Sequence, residues 1–329
     1  MKLTNGWRHL ERVADGPGAR TLVPVLGSGF VTQAVMSARL SAKPGESFPA
    51  PVDWMSLLRG VAKEFDCARA ISHIEVDVPG QTTLLWDAMA VELTGRSSGI
   101  QQAHAYESKM RRSVARRLRD DTITHDLAQP FVESFLRLGW DDVVSFNFDS
   151  VLLAGRARPK PLSTGAARRA SIAARQDDTT IWYPHGHHSE PDSIVLGAHA
   201  YGGRVAAMQA AFDAHARKRA PRKSSGLDSW VATMLERPLF FVGLSLTREE
   251  WTIWWLLSQR ARFLARRTTA KRPAAFVFAR RPAPSDKLEA HAAFQTLARA
   301  CELLGIELLE FTDYKSGWKK LRSAIGWPE

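Results

Sequence analysis

Asp142 to Leu153 reads DVVSFNFDSVLL. Val143 and Val144 predict a short buried strand, and Ser145 to Asp149 follow as its polar tip. Strand side chains alternate with a period of two, so Asn147 and Asp149 leave that tip on the same side. In an open α/β sheet, ligands bind outside the carboxyl ends of the strands. An amide and a carboxylate at such a tip therefore mark the first candidate site. Each also has a purely local reading: Asn147 can satisfy a turn, and Asp149 can cap whatever helix follows.

Working outward, apolar runs alternate with helical periodicity. Thr21–Leu26, Thr180–Pro184, Ser193–Leu196, Pro238–Val242, Ala274–Ala279 and Ile306–Phe311 predict further strands. Helical spacing covers Val31–Leu40, Asp53–Phe65, Thr83–Leu93, Gln101–Leu118, Phe131–Leu138, parts of 204–236, the segment after Glu250, Ser285–Leu304 and Tyr314–Ile325. Strand–helix alternation from Thr21 onward predicts an α/β fold: a Rossmann-like parallel sheet with helices on both faces. Residues 1–19 read as an N-terminal helical arm and 20–329 as the main domain. Residues 53–138 are too long for one crossover and read as a helical insertion. Residues 155–179, rich in Arg, Ala, Pro and Ser, read as a mobile basic loop beside the strand tip. Thr247 to Glu250 has the form of a capping box. Trp251, Trp254 and Trp255 read as core.

Four strand ends carry glycine or polar residues: Gly27-Ser28-Gly29, Asn147 with Asp149, His185-Gly186, and Gly243 with Ser245. Glycine turns at helix starts suit a pyrophosphate, because the backbone approaches closely and the helix N-terminus favours an anion. His185 is the best placed titrating base, since imidazole moves protons near neutral pH. The neighbouring His187, His188 and His199 lack helical HxxxH spacing and a nearby cysteine, so no metal is expected.

The ordered set VLGSGFV (25–31), SFNFDSVLL (145–153), YPHGHH (183–188) and FFVGLSLTREEWTIWWLL (240–257) resembles the sirtuin-like NAD hydrolases of bacterial anti-phage defence. PVDWMSLLRGV (51–61) and IVLGAHAY (194–201) resemble that family's Trp-bearing helix and its later strand ending in Tyr. Ser28 stands where the family's GAG turn has Ala, Val31 where its serine follows, and Phe148 where a Tyr is usual. The zinc-ribbon cysteines of the protein deacylases have no counterpart. The resemblance implies an NAD glycohydrolase that cleaves the nicotinamide–ribose bond, with NAD as substrate and no metal. It implies Asn147 and His185 as the catalytic pair and Asp149 on the nicotinamide carboxamide. It implies Gly27, Ser28, Gly29, Phe30, Gly243 and Ser245 around the pyrophosphate and adenosine. A homo-oligomer, or a partner such as an ATPase, an Argonaute-type protein or a sensor, is the setting such effectors have.

Composition bounds these readings. Two cysteines in 329 residues, Cys67 and Cys301, exclude a disulfide framework and fit a reducing cytoplasm. The amino-terminal stretch lacks the apolar segment of a signal peptide, and no run is long enough for a membrane helix. A net charge of +11 attracts polyanions, with Lys109–Arg119, Arg156–Arg175, Arg217–Lys223 and Arg260–Arg272 as contact regions for nucleic acid or a partner. Two other functions therefore compete with hydrolysis: a nucleotide-binding regulatory module that docks through this basic surface, and a transferase of ADP-ribose or acyl groups.

Overall fold

The computed structural model describes residues 5–16, 19–40, 54–67, 69–70, 72, 82–96, 99–153, 160–161, 172–217, 229–246 and 250–328. The strands are β1 (Val23–Leu26), β2 (Asp142–Ser145), β3 (Lys160–Pro161), β4 (Ile172–Gln176), β5 (Thr179–Trp182), β6 (Leu239–Val242), β7 (Ala275–Arg280) and β8 (Glu307–Phe311). They form one sheet in the order β3-β4-β5-β2-β1-β6-β7-β8. From β5 to β8 every neighbouring pair is parallel. From β1 the chain adds strands on one side, through β2 to β5, and from β6 it adds them on the other, so the switch point where a crevice opens lies between β1 and β6, with β2 next to β1.

Alternation along the strands sorts side chains into two cores. Phe240 and Val242 of β6 face one layer with Phe30, Phe131, Phe135, Trp318 and Trp327. Leu239 and Phe241 face the other with Trp230, Met234, Leu256 and Leu257. Helices thus cover both faces, as the apolar character of both sides of each strand requires. The helix Asn5–Asp15 belongs to the first layer, where it buries Trp7 and Leu10.

Between β1 and β2 the described chain is helical: Ser28–Leu40, Trp54–Glu64, Thr82–Gly95, Ile100–Asp120 and Thr122–Leu136. The middle three pack on one another around Leu58, Val61, Trp86, Met110 and Val114, forming a third core. The last returns to the sheet through Phe131, Val132 and Phe135. Glu64 ties the third core together by accepting hydrogen bonds from Ser113, Arg116 and Arg117.

Several sequence expectations change. The helix read as Phe131–Leu138 begins nine residues earlier, capped by Asp121 onto Thr124 N–H, with Pro130 accommodated inside it. Ser193–Leu196 is not a strand: a 3-10 turn Pro191–Ser193 leads into irregular chain. Part of the expected basic loop is ordered sheet, because β4 pairs antiparallel with β5 across a two-residue turn with Asp177 at φ 53°. Residues 155–159 and 162–171 of that loop lie outside the described residues. So do Thr247 to Glu249 of the capping box; the helix runs Trp251–Ala265 with Glu250 as N-cap. Arg260 is not a surface contact. It is buried, and its guanidinium donates to Met234 O and Pro273 O.

Leu10→Ala removes a fully buried side chain from the first layer and is expected to cost about 2–5 kcal/mol. A urea titration would show this as a lower midpoint, whereas an unchanged midpoint would mean the helix is a dispensable appendage.

Candidate active site

The two glycine turns touch. Gly27 N–H donates to Val242 O at 3.1 Å and Gly29 N–H to Gly243 O at 3.0 Å. A Cβ on Gly27 would lie 2.5 Å from Gly243 O, and one on Gly243 would lie 2.2 Å from Phe30 N. Gly243 also has φ 71°, a region that side chains other than glycine enter at a cost. The helix Ser28–Leu40 starts here with Ser28 exposed, and Ser245 is exposed beyond Gly243. Phe30 is turned the other way. Its ring is 1% exposed and packs among Phe131, Phe135, Trp318 and Trp327, so it offers a ligand no side chain.

Beside this lies the tip of β2. Phe146 N–H continues the ladder onto Leu26 O, which sets Asn147 next to the first glycine turn along the sheet. Asn147 is half-buried, and its N–H donates to Ser145 Oγ at 3.3 Å. The following turn is held to the His185 segment by His188 N–H, which donates to Phe148 O at 2.9 Å. Gly186 makes the His185 turn with φ 92°, where a Cβ would lie 2.3 Å from Ser193 O.

His185 sits in an aromatic enclosure. Phe146 meets it edge-on at 4.8 Å, Tyr201 edge-on at 5.2 Å, and Phe148 lies nearly parallel at 6.2 Å. Phe148 in turn stacks on Trp54 at 5.5 Å, and Tyr201 approaches Trp251 at 6.2 Å. Trp251 is 39% exposed at the start of its helix, so it is not a core residue, unlike the partly buried Trp254 and Trp255. His185 is only 4% exposed, yet its Nε2 has no hydrogen-bond partner among the described residues. Burial, with a smaller push from the Arg204 charge, lowers its pKa to about 3. The ring is neutral at pH 7.

Asp149 does not join His185. Its carboxylate accepts Val151 N–H at 3.0 Å and caps the 3-10 turn Val151–Leu153. Burial raises its pKa, opposed by that hydrogen bond and the nearby His125 charge. Its neighbours include Tyr183, whose hydroxyl pKa burial drives up with help from the Asp149 charge. The next residue is a junction that motif reading passes over. Ser150 Oγ lies 3.0 Å from His187 Nε2 and 2.5 Å from His188 Nε2. His187 Nδ1 accepts Ser189 N–H, so its proton sits on Nε2 and points to Ser150. Ser150 then donates to His188. This chain fastens the turn carrying Asn147 to the turn carrying His185. The run HGHH announced the histidines, but nothing in the sequence pairs them with Ser150.

The structure thus brings Asn147, His185 and the two glycine turns to one edge of the sheet, with Ser28 and Ser245 exposed beside them, and leaves Phe30 and Asp149 in supporting positions. No group of histidine, cysteine or carboxylate side chains able to hold a metal occurs among the described residues. No described helix is long and apolar enough to cross a membrane. Residues 141–299 match the family model of the SIR2-like domain, a span that includes Asn147, Asp149, His185, Gly243 and Ser245 but not the first glycine turn. No curated protein matches the chain.

His187, like His185, is held to a pKa of about 3, mainly by burial. Unfolded, each would take a proton near 6.5; folded, each resists it. Their contribution to stability is complete above about pH 6.5 and is lost as the pH falls toward 3. The loss is up to about 1.4 kcal/mol per pH unit for each ring. Thermal melts between pH 7 and 4 should fall more steeply for the native protein than for His187→Gln; parallel curves would contradict the burial.

Proposed function

Taking as premise that this chain is sirtuin-like over residues 141–299, a domain type that points to NAD-dependent enzymes in general, we propose that it is an NAD glycohydrolase. The reaction consumes NAD and water and yields nicotinamide, ADP-ribose and a proton. The observation that carries this reading is His185: a neutral imidazole, buried among aromatic rings that include Phe146 and Phe148 on either side of Asn147, whose Nε2 has no hydrogen-bond partner among the described residues.

That environment suits a cationic substrate. The pyridinium of NAD and the oxocarbenium-like state that follows bond cleavage both carry positive charge. A protonated histidine would repel them, and burial keeps His185 uncharged. Aromatic faces such as Phe148 and Trp54 attract cations. Nicotinamide leaves as a neutral molecule and needs no acid. The proton to be removed comes from the attacking water or a ribose hydroxyl, and Nε2 of His185 is the acceptor. Asn147 orients that water or hydroxyl through its amide. The glycine turns, with Ser28 and Ser245, receive the pyrophosphate and adenosine at the start of the helix Ser28–Leu40. Asp149 serves as the clasp of the Asn147 turn, a different role from the carboxamide contact the resemblance implies.

Hydrolysis without an acceptor drains NAD, the action of a toxic effector in anti-phage defence. Such an effector is kept inactive until triggered, in an oligomer or by a partner protein. With two cysteines, the sequence lacks the zinc-ribbon cysteines that build the peptide cleft of a deacylase.

Incubation of purified protein with NAD should release nicotinamide and ADP-ribose in equal amounts. Asn147→Ala and His185→Ala should each lower kcat by 100-fold or more while leaving the melting temperature of Asn147→Ala near that of the native chain. Equal turnover in native protein and Asn147→Ala would contradict the assignment.

A further inference from the structure

A cavity runs along the chain that follows His185, at Ser193, Ile194 and Val195. It is a cleft of about 470 Å³ between the helix Ile100–Asp120, the 3-10 turn Pro191–Ser193 and the helix Gly197–Arg217. Asn147, the glycine turns and Ser245 do not line it. The wall contributed by Gly197–Arg217 is small, with Ala200, Gly203 and Ala207 facing the space. The charged groups are Arg111, Arg204 and Asp192.

We propose that this cleft is a binding site for a sugar phosphate, with the phosphate held by Arg111 and Arg204 and sugar hydroxyls donating to Asp192. The two guanidinium groups supply the planar donor forks that phosphate oxygens accept best. Arg111 uses Nη2 on Glu107 at 3.1 Å, while its Nε, buried at the edge of the cleft, has no partner among the described residues. Arg204 is 7% exposed and donates to Ser193 O at 3.5 Å, and burial lowers its pKa to about 10. Asp192 accepts Ser108 Oγ–H through Oδ1 at 3.1 Å, which leaves Oδ2 for the ligand. Ser193 is not a ligand group, because its hydroxyl is already engaged with Glu190 O and His187 N–H. Among the described residues no aromatic ring lines the cleft, and a nucleobase would find no stacking surface on them. A pentose phosphate uses the charges without needing one. The cleft borders the His185 segment through Val195 and Arg204, but its ligand groups do not depend on the NAD reading.

Calorimetric titration of the full chain with ribose 5-phosphate, in phosphate-free buffer, tests it. Saturable binding to one site is expected. It should weaken at least tenfold in Arg111→Glu and be lost in Gly203→Leu, where the new side chain enters open space in the cleft. It should be unchanged in Asn147→Ala. Three results would overturn the proposal: no saturation at millimolar ligand, equal affinity in Gly203→Leu and the native chain, or loss of binding in Asn147→Ala. Inorganic phosphate binding as tightly as ribose 5-phosphate would overturn the sugar part of the assignment. Gly203→Leu replaces an exposed helical glycine and tests the site without disturbing the core.

Discussion

The hydrogen bond from Gly29 N–H to Gly243 O holds the functional edge of this fold together. It joins the turn after β1 to the turn after β6, and neither turn has room for a Cβ at the point of contact. A backbone-to-backbone seam of this kind cannot slide, because the register of β1 on β6 is set four residues deep by the sheet. The seam directs the start of the helix Ser28–Leu40 toward the crevice at the switch point. The sheet then brings β2 alongside, and Asn147 arrives next to the glycines without any side-chain contact having to specify it.

The second half of the site is held by different physics. His185 comes on a turn that the sheet does not position, since β5 ends at Trp182. It is held by backbone bonds to Val195 and, through its neighbour His188, to Phe148, by the Ser150 junction, and by ring contacts with Phe146, Phe148 and Tyr201. The rings also set its electrostatics: the enclosure that fixes the imidazole is the one that keeps it uncharged. Positioning and pKa therefore cannot be altered separately there. A substitution that admits water would loosen the ring and raise its basicity together.

Much of this was legible in the residues. Apolar runs such as PLFFV and the glycine-ended turns located the parallel strands, and the ordered motifs located Asn147, His185 and the two glycine turns. What escaped has physical reasons. The strand β4 is Ile-Ala-Ala-Arg-Gln, a segment without β-branched alternation, and only its pairing with β5 makes it a strand. The helix Thr122–Leu136 starts well before the expected Phe131, and Pro130, just before that point, is exposed and accommodated inside it. Phe30 follows the glycine turn in sequence yet points into the core, because one step along a helix turns a side chain by about 100°. Asp149 satisfied both of its readings on paper, and its hydrogen bond to Val151 N–H favours the cap. Ser150 and Arg204 had no local signal at all. Their roles come from tertiary contact with His187, His188 and the cleft.

The central claim is that Asn147 and His185 face one nicotinamide–ribose site across the tip of β2. A crystal structure of Asn147→Ala soaked with NAD tests it most directly. The account predicts the nicotinamide ribose between position 147 and His185 Nε2, with the pyrophosphate on the Gly27–Gly29 turn. NAD bound elsewhere, with His185 still sealed by Phe146, Phe148 and Tyr201, would contradict it.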